Sequence, residues 1–433
     1  VEHVKRKPSL LVVFLTVFID LIGFGIVVPL VPIYSRHYGA GWFVIGAIVA
    51  AYSAMQFLFA PVLGRWSDRV GRRPVMLIST CGAALSYVLF AIGSGFENHT
   101  AALCALLCSR VFAGICGGNI TVAQAYIADI TPPENRSKRM GLIGMAFGLG
   151  FIFGPAISGL ALKFFGETGP GWAATALCAM NFLLAFFILG ESLQPSSGHA
   201  NRRPHLKQWG HTLSQPKIGL LILIFFLSTF AFSCFETTLP LLVNDDFNLG
   251  LTVDLAKPAM TVVSLFVFCG LIAAFVQGGA IGRMVKMFGE PKLIALSLVL
   301  TGVSLALLPF IQGEGQLKWL AVLRLADWPW IQMLLVLALL AIGSSLTRPP
   351  VFGLLSNLTP ANEQGATIGV AQGVGSLARI VGPLFALMLY WRHPMLPYVI
   401  CGGLAVFSGL LAWQFLRQRS ALPVGVEKSQ AAD

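Results

Sequence analysis

The sequence predicts an all-α polytopic membrane protein with twelve transmembrane helices in two six-helix pseudo-symmetric halves and both termini cytoplasmic. Three observations carry that prediction. First, 56% of the 433 residues are hydrophobic, only 11% are charged, and mean hydropathy is +0.79, a composition foreign to water-soluble domains. Second, apolar runs recur near the ~20 residues that cross a bilayer core, and the length holds about a dozen of them with short loops. Third, residues 128–155 align without gaps on residues 356–383. That register pairs Thr131 with Thr359, Pro132 with Pro360, Gly141 with Gly369, and Gly154-Pro155 with Gly382-Pro383. The alternating ten-residue segments of a membrane barrel are absent, so the spans are helical.

Residues 1–191 read as the N-terminal half, 192–216 as a cytoplasmic linker, 217–417 as the C-terminal half and 418–433 as a cytoplasmic tail. Span 1, from about Leu10 to Ile33, begins after Lys5, Arg6 and Lys7, which hold its start in the cytoplasm, and carries Asp20 near its middle. Its apolar run continues past Leu30 without a small-residue cleavage site, so it stays as a helix. Spans 2 and 3, about Trp42–Leu63 and Pro74–Ser94, flank Gly64–Pro74, where five charges fall in eleven residues. Such a stretch cannot sit in hydrocarbon. Gly64 and Gly71 are expected to let the chain reverse, Arg65, Arg69, Arg72 and Arg73 to hold the turn in the cytoplasm, and Asp68 is the acid among them.

The outer turn that follows includes Asn98-His99-Thr100, a chance sequon. Span 4, about Ala101–Ile127, places Arg110 in the outer half of the membrane and ends at Asp129, before the basic loop of Arg136, Lys138 and Arg139. Span 5, about Gly141–Phe165, is crowded with Gly148, Gly150, Gly154, Pro155 and Gly159, which allow close approach and a bend. Span 6 finishes near Glu191, and the linker holds Arg202, Arg203, Lys207 and three histidines. Six further spans run about Ile218–Val243, Pro258–Ile281, Leu293–Ile311, Pro329–Leu354, Gly365–Tyr390 and Leu396–Leu416. Gly282–Gly289 is a worn copy of Gly64–Gly71 in which Lys286 replaces the acid.

The formal charge of +11 is spread over short loops, a topology signal and not a nucleic-acid footprint. The eight cysteines show no metal-ligand spacing and read as small core residues; no metal or other cofactor is expected. Neither a zinc-protease helix, a nucleophile elbow nor a phosphate loop is present, so the chain is not read as an enzyme and an ion gradient is its energy source.

Ionisable groups inside a membrane usually face a cavity or a partner. Asp20, Arg110, Glu236 and Arg379 remain after Arg348, near the cytoplasmic end of span 10, is assigned to snorkelling. Removal from water favours a neutral carboxyl, and a nearby Arg favours the charged form, so an acid beside an Arg can cycle a proton. With no histidine inside a span, carboxylates are the evident carriers, and Asp20 or Glu236 is expected to carry the proton. The bland alternative is a set of internal ion pairs that only hold the bundle together.

The G-x-x-x-D-R-x-G-R-R spacing from Gly64 to Arg73 resembles the signature loop of the major facilitator superfamily. Ile19–Gly25 with Pro29 and Pro32, Met55–Pro61, and Gly150-x-x-x-Gly154-Pro155 resemble its tetracycline-efflux branch of drug:proton antiporters. That resemblance is strong over Leu10–Leu160 and weaker from Gly282 to Pro383. It implies parallel halves about an axis along the membrane normal. It also implies a substrate and proton pathway through Asp20, Arg110 and Gln124, to which Glu236 and Arg379 are added here. The cytoplasmic gate would comprise Gly64, Asp68, Arg69, Gly71, Arg72, Arg73 and Asp129, with Arg69 or Arg73 bridging to Asp129.

Two departures bear on the substrate. Where the tetracycline pumps carry acids in spans 3 and 9, this chain has Ser86 and Thr301. The expected function is proton-coupled efflux of amphiphilic small molecules by a monomer in a bacterial inner membrane, with lipid, protons and a small-molecule substrate as its partners and no nucleic acid. The alternatives are an organic-anion or lipid-like metabolite carrier using Arg379 and Arg110, and a non-transporting receptor or scaffold.

Overall fold

The computed structural model describes residues 8–132, 136–193, 205–251, 254–319, 322, 327–360 and 363–416. Lys5–Lys7, Arg202, Arg203 and the tail at 418–433 lie outside them.

Among the described residues the architecture is all-helical, with twelve helices long and apolar enough to cross a membrane. Spans 1–6 are Leu10–His37, Trp42–Val70, Arg72–Gly93, His99–Asp129, Met145–Phe165 and Gly169–Ile188. Spans 7–12 are Pro216–Asp246, Ala256–Phe288, Glu290–Phe310, Trp328–Leu358, Ala366–Tyr390 and Met395–Leu416. We call the end that carries the Arg-rich turn between spans 2 and 3 the basic face.

Within the first half, span 1 packs on spans 5 and 6, and span 3 on spans 4 and 6; in the second, span 7 packs on span 11 and span 9 on spans 10 and 12. The halves meet along two seams, span 2 against span 11 and span 5 against span 8. These pairs correspond under the internal repeat, as a two-fold relation between halves requires.

Local sequence explains where the spans break. In span 1, Pro29 and Pro32 each lack the N–H that an uninterrupted helix needs, and the helix stops at Val27 and restarts at Val31. Span 4 breaks at Gly117-Gly118 and restarts at Asn119, a pair with little helix propensity. Asn98 caps the start of span 4, its Oδ1 accepting from Thr100 N at 3.0 Å and Ala101 N at 3.1 Å, so this asparagine has a structural job.

The Arg-rich turn differs from its prediction. Span 2 is helical through Val70 and span 3 starts at Arg72, so the connection is Gly71 alone, at φ +106°. That φ suits glycine. Gly64 reverses nothing; it lies inside the helix of span 2, against Thr121. The charges therefore sit on two helix ends. The repeat is kept at Gly289, φ +74°, which joins Ile281–Phe288 to span 9 in the same way.

The linker carries an unpredicted helix, His205–Ser214. Its Trp209 ring meets Phe57 of span 2, with 6.2 Å between centroids, and packs on Gly373 of span 11. The cysteine reading holds for Cys116, Cys178, Cys234 and Cys401, which are buried, whereas Cys104 and Cys108 face outward from the bundle.

Candidate functional site

Span 5 sets how closely the first half can close. A Cβ on Gly25 of span 1 would lie 2.5 Å from Gly150 O, and one on Gly154 would lie 2.5 Å from Gly25 C, so only bare backbones fit at this crossing. Gly159 faces Val263 of span 8, and the helix runs unbroken through Pro155. The glycines predicted for span 5 thus serve two contacts, one inside the half and one across the seam.

That crossing holds Asp20 against the break in span 4. Asn119, 1% exposed, donates its Nδ2 to Asp20 Oδ2 at 2.9 Å. Gln56 Nε2 of span 2 donates to Gly117 O at 2.9 Å, satisfying a carbonyl that the break frees. Sequence reasoning passed over Asn119; a polar residue just after a Gly-Gly break inside a span was the available signal. Gln124 lies further along the same helix, half-buried, without a hydrogen bond among the described residues.

Arg110 is 2% exposed. Its guanidinium lies over Tyr87 and Phe90, at 5.6 and 5.8 Å from their centroids, and among the described residues its three nitrogens have no hydrogen-bond partner. A planar cation with five N–H donors is held by ring faces alone. Tyr52 of span 2 sits in the combined field of Asp20, Arg110 and Arg379, which places the two halves' charges around one centre.

From the second half, Glu236 and Arg379 act on each other electrostatically without a contact as short as a salt bridge. Arg379 Nη2 donates to Ser376 Oγ at 3.3 Å, while Glu236 Oε1 is buried without a partner among the described residues. Among the described residues none of Asp20, Arg110, Glu236 and Arg379 makes an ion pair within 4 Å. A set of closed internal ion pairs is not what the structure holds.

Arg348, expected to snorkel, is half-buried among aromatic rings. Its guanidinium carbon lies 5.4 Å from the centroid of Phe147 and 5.8 Å from those of Phe225 and Phe352. These rings come from spans 5, 7 and 10.

At the basic face, Arg72 and not Arg69 or Arg73 bridges to Asp129. Its side chain is 6% exposed, with Nε 3.0 Å from Asp129 Oδ2 and Nη1 2.6 Å from Asp68 Oδ1 and 2.7 Å from Ser67 Oγ. The reason is register: Gly71 turns the chain so that the first side chain of span 3 points back between spans 2 and 4. Arg73 donates instead to Phe186 O at 2.9 Å, and Arg69 is exposed. Glu191 completes the cluster, accepting from Arg72 N at 2.9 Å and Arg73 N at 3.1 Å as a carboxylate on the N-terminus of span 3.

At the opposite face the halves are clasped. Arg36 Nη1 lies 2.8 Å from Asp245 Oδ2, which also accepts from Tyr390 Oη at 2.7 Å, and His37 Nδ1 lies 2.9 Å from Leu251 O. Arg36 also lies over Trp391, 5.6 Å from its ring centroid. The elements joined are the end of span 1 on one side and the ends of spans 7 and 11 on the other.

Two repeat-related halves, seams at 2·11 and 5·8, and charges gathered between them form a transporter geometry. The sequence model of the Major Facilitator Superfamily matches residues 13–326 and 280–432. The chain belongs to that family. Its members are transporters, not enzymes. The chain is 33% identical over 389 residues to the class E tetracycline resistance protein of Escherichia coli, covering 88% of each. It is 27% identical to multidrug resistance protein 2 of Bacillus subtilis, covering 92% of each. Among solved structures it is similar to the human organic anion transporter MFSD10 (TETRAN), with TM-score 0.63 and 27% identity over 93% of this chain and 98% of that one. A D-xylose-proton symporter, TM-score 0.69 at 17% identity over 94% of this chain and 97% of that one, shares the fold.

Proposed function

We propose that the protein is a proton-coupled antiporter that exports amphiphilic small molecules by alternating access, working as a monomer in a bacterial cytoplasmic membrane with its basic face inside. The observation that carries this reading is a pair of intramembrane acids, one on span 1 and one on span 7, the first spans of the two halves. Asp20 and Glu236 each lie inside a span without an ion pair among the described residues, and each can exchange a proton without breaking a structural contact. The names of the tetracycline- and multidrug-resistance relatives support export.

Tetracycline itself does not fit well. Ser86 and Thr301 are buried and satisfied by Ala83 O at 2.7 Å and Ser297 O at 2.8 Å, so they offer no charge to a metal-chelated cation. The test is a substrate panel in proteoliposomes under an imposed pH gradient. Exchange of a neutral or cationic amphiphile against protons supports the reading, and no gradient-driven flux for any panel member defeats it.

A second reading, an organic-anion carrier that uses Arg379 and Arg110, is favoured by the charge count. Among the described residues, three arginines deep in the spans, Arg110, Arg348 and Arg379, stand against two acids, Asp20 and Glu236, and the likeness to the organic anion transporter points the same way. The two readings differ in the sign of coupling. A cation or neutral amphiphile that engages Asp20 competes with the proton. An anion on Arg379 is helped by a proton on Glu236, because neutralising that acid frees the guanidinium. Anion binding that strengthens as pH falls would therefore favour the second reading.

A further inference from the structure

Arg348 lies within span 10, half-buried, and has no counter-charge among the described residues. Among the described residues it makes no ion pair and no hydrogen bond. Its company is the ring faces of Phe147, Phe225 and Phe352, between 5.4 and 5.8 Å away. Ring faces attract the positive charge and leave the in-plane N–H donors without acceptors. Those donors are not sealed off, since Arg348 is only half-buried and its nitrogens are not among the fully enclosed polar atoms.

Phe225, whose ring faces Arg348, also packs on Gly375, one turn before Arg379 in span 11, and Arg379 acts on Arg348 as a like charge. Glu236 is near Arg379, but no acid is paired with Arg348. Two like-charged guanidiniums, with Glu236 acting on Arg379 alone, leave a place for one more negative charge.

Resting on the organic-anion reading, we propose that Arg348 and Arg379 form a two-guanidinium site for the carboxylate of an aromatic carboxylic acid, with Phe147, Phe225 and Phe352 as walls for its ring system. The planar fork of Arg348 matches a carboxylate, and the rings that now stack on the guanidinium present edges and faces to an aromatic body. Phe147 belongs to the first half, Phe225 and Phe352 to the second. The site is therefore assembled by the arrangement in which the opposite face is clasped, and it comes apart when the 5·8 seam opens. Binding of such an anion favours the arrangement that has the full wall.

The experiment is equilibrium binding of tritiated 2-naphthoate to the purified full chain, with 2-naphthamide as an isosteric neutral competitor. Wild type should hold naphthoate about tenfold or more tighter than naphthamide, the scale of a charge-assisted contact. Arg348→Gln should weaken naphthoate by about tenfold and leave naphthamide unchanged, with Arg348→Lys between. Phe147→Leu should weaken both ligands, which carries the test if Arg348→Gln does not fold. Folded Arg348→Gln with wild-type naphthoate affinity overturns the site; if Arg379→Gln loses naphthoate in the same series, the organic-anion reading survives and only the site falls. Wild type that binds naphthamide as tightly as naphthoate overturns both.

Discussion

Arg36 Nη1 lies 2.8 Å from Asp245 Oδ2, and this bond ties span 1 of the first half to span 7 of the second at the face opposite the Arg-rich turn. Tyr390 of span 11 shares the same carboxylate oxygen at 2.7 Å, so three spans converge on Asp245. Both charged side chains are about 30% exposed, which puts the ion pair in the range of ~0.2–1 kcal/mol, with the tyrosine adding about as much again.

Removing the clasp should thus release the opposite face by a small factor. Asp245→Asn is expected to raise the population open at that face by about two- to tenfold. Spin labels at Gly41 and Lys257, where an added Cβ meets nothing within 4 Å in the first case and the side chain is 62% exposed in the second, report the distance. An unchanged distance distribution would show that the clasp does not control the face. The exchange Arg36→Asp with Asp245→Arg should restore the wild-type distribution.

At the basic face the prediction concerns stability. Arg72 holds Asp129, Asp68 and Ser67 at 3.0, 2.6 and 2.7 Å with a nearly buried side chain, whereas Arg69 is exposed. Arg72→Ala should cost about 2–3 kcal/mol, since charge-assisted bonds are lost and two acids are left close together. Arg69→Ala should stay within about 0.5 kcal/mol. Thermal unfolding in detergent compares the two. Equal losses would mean that bridging through Arg72 is not what the cluster depends on.

Why Arg72 was not singled out from sequence shows where such reading ends. The spacing of four arginines around Gly71 marks the turn, but which one points inward depends on the φ of Gly71 and on the position of span 4. Hydropathy places Asp20, Arg110, Glu236 and Arg379 inside spans, and the structure brings Asp20, Arg110 and Arg379 around Tyr52, with Glu236 beside Arg379. Their partners were less legible. Asn119 reads as one polar residue in an apolar run until the Gly117-Gly118 break turns it toward Asp20. Asp245 and Glu191 carry no signal in the sequence, because nothing local says that a span end from elsewhere in the chain will meet them. Arg348 reads as a snorkelling residue from its place toward the span end, and the phenylalanines from three spans that surround it are visible only once the spans pack. The span count and the repeat depend on composition and periodicity, and these are local.

Proton coupling is tested on the two acids. Asp20→Asn can still accept the hydrogen bond from Asn119 Nδ2, so it should fold, yet it cannot carry a proton. A proton driven through 100 mV gains about 2.3 kcal/mol, enough for about fifty-fold accumulation. Asp20→Asn or Glu236→Gln should bring accumulation down toward equality while leaving downhill exchange. Proteoliposomes with an imposed gradient measure it; uphill transport kept in both variants would remove carboxylate coupling from the mechanism.

Asp68 lies on the last turn of span 2, bound to Arg72 and 37% exposed, while the helix of span 11 in the other half starts at Gln364 with the positive end of its dipole at the basic face. Spans 2 and 11 already meet along the seam between halves, so closing the basic face brings that acid toward that helix start. An acid at a helix N-terminus gains ~0.3–1 kcal/mol when exposed and up to ~2 kcal/mol when partly buried. The contact favours the state in which the basic-face ends of the halves meet and the opposite face is open, against the Arg36–Asp245 clasp. The repeat offers no equivalent from the second half, because Lys286 occupies the matching place and is exposed. Asp68→Asn keeps the size of the side chain and its ability to accept from Arg72, and removes the charge. It should shift the population by about two- to fivefold toward the state open at the basic face, and slow turnover with substrate affinity retained. Spin labels at Val70, which is exposed, and at Gly369, where an added Cβ meets nothing within 4 Å, report the separation of spans 2 and 11. A distance distribution that does not move in Asp68→Asn would show that the acid of this turn stabilises its own half and does not latch the two together.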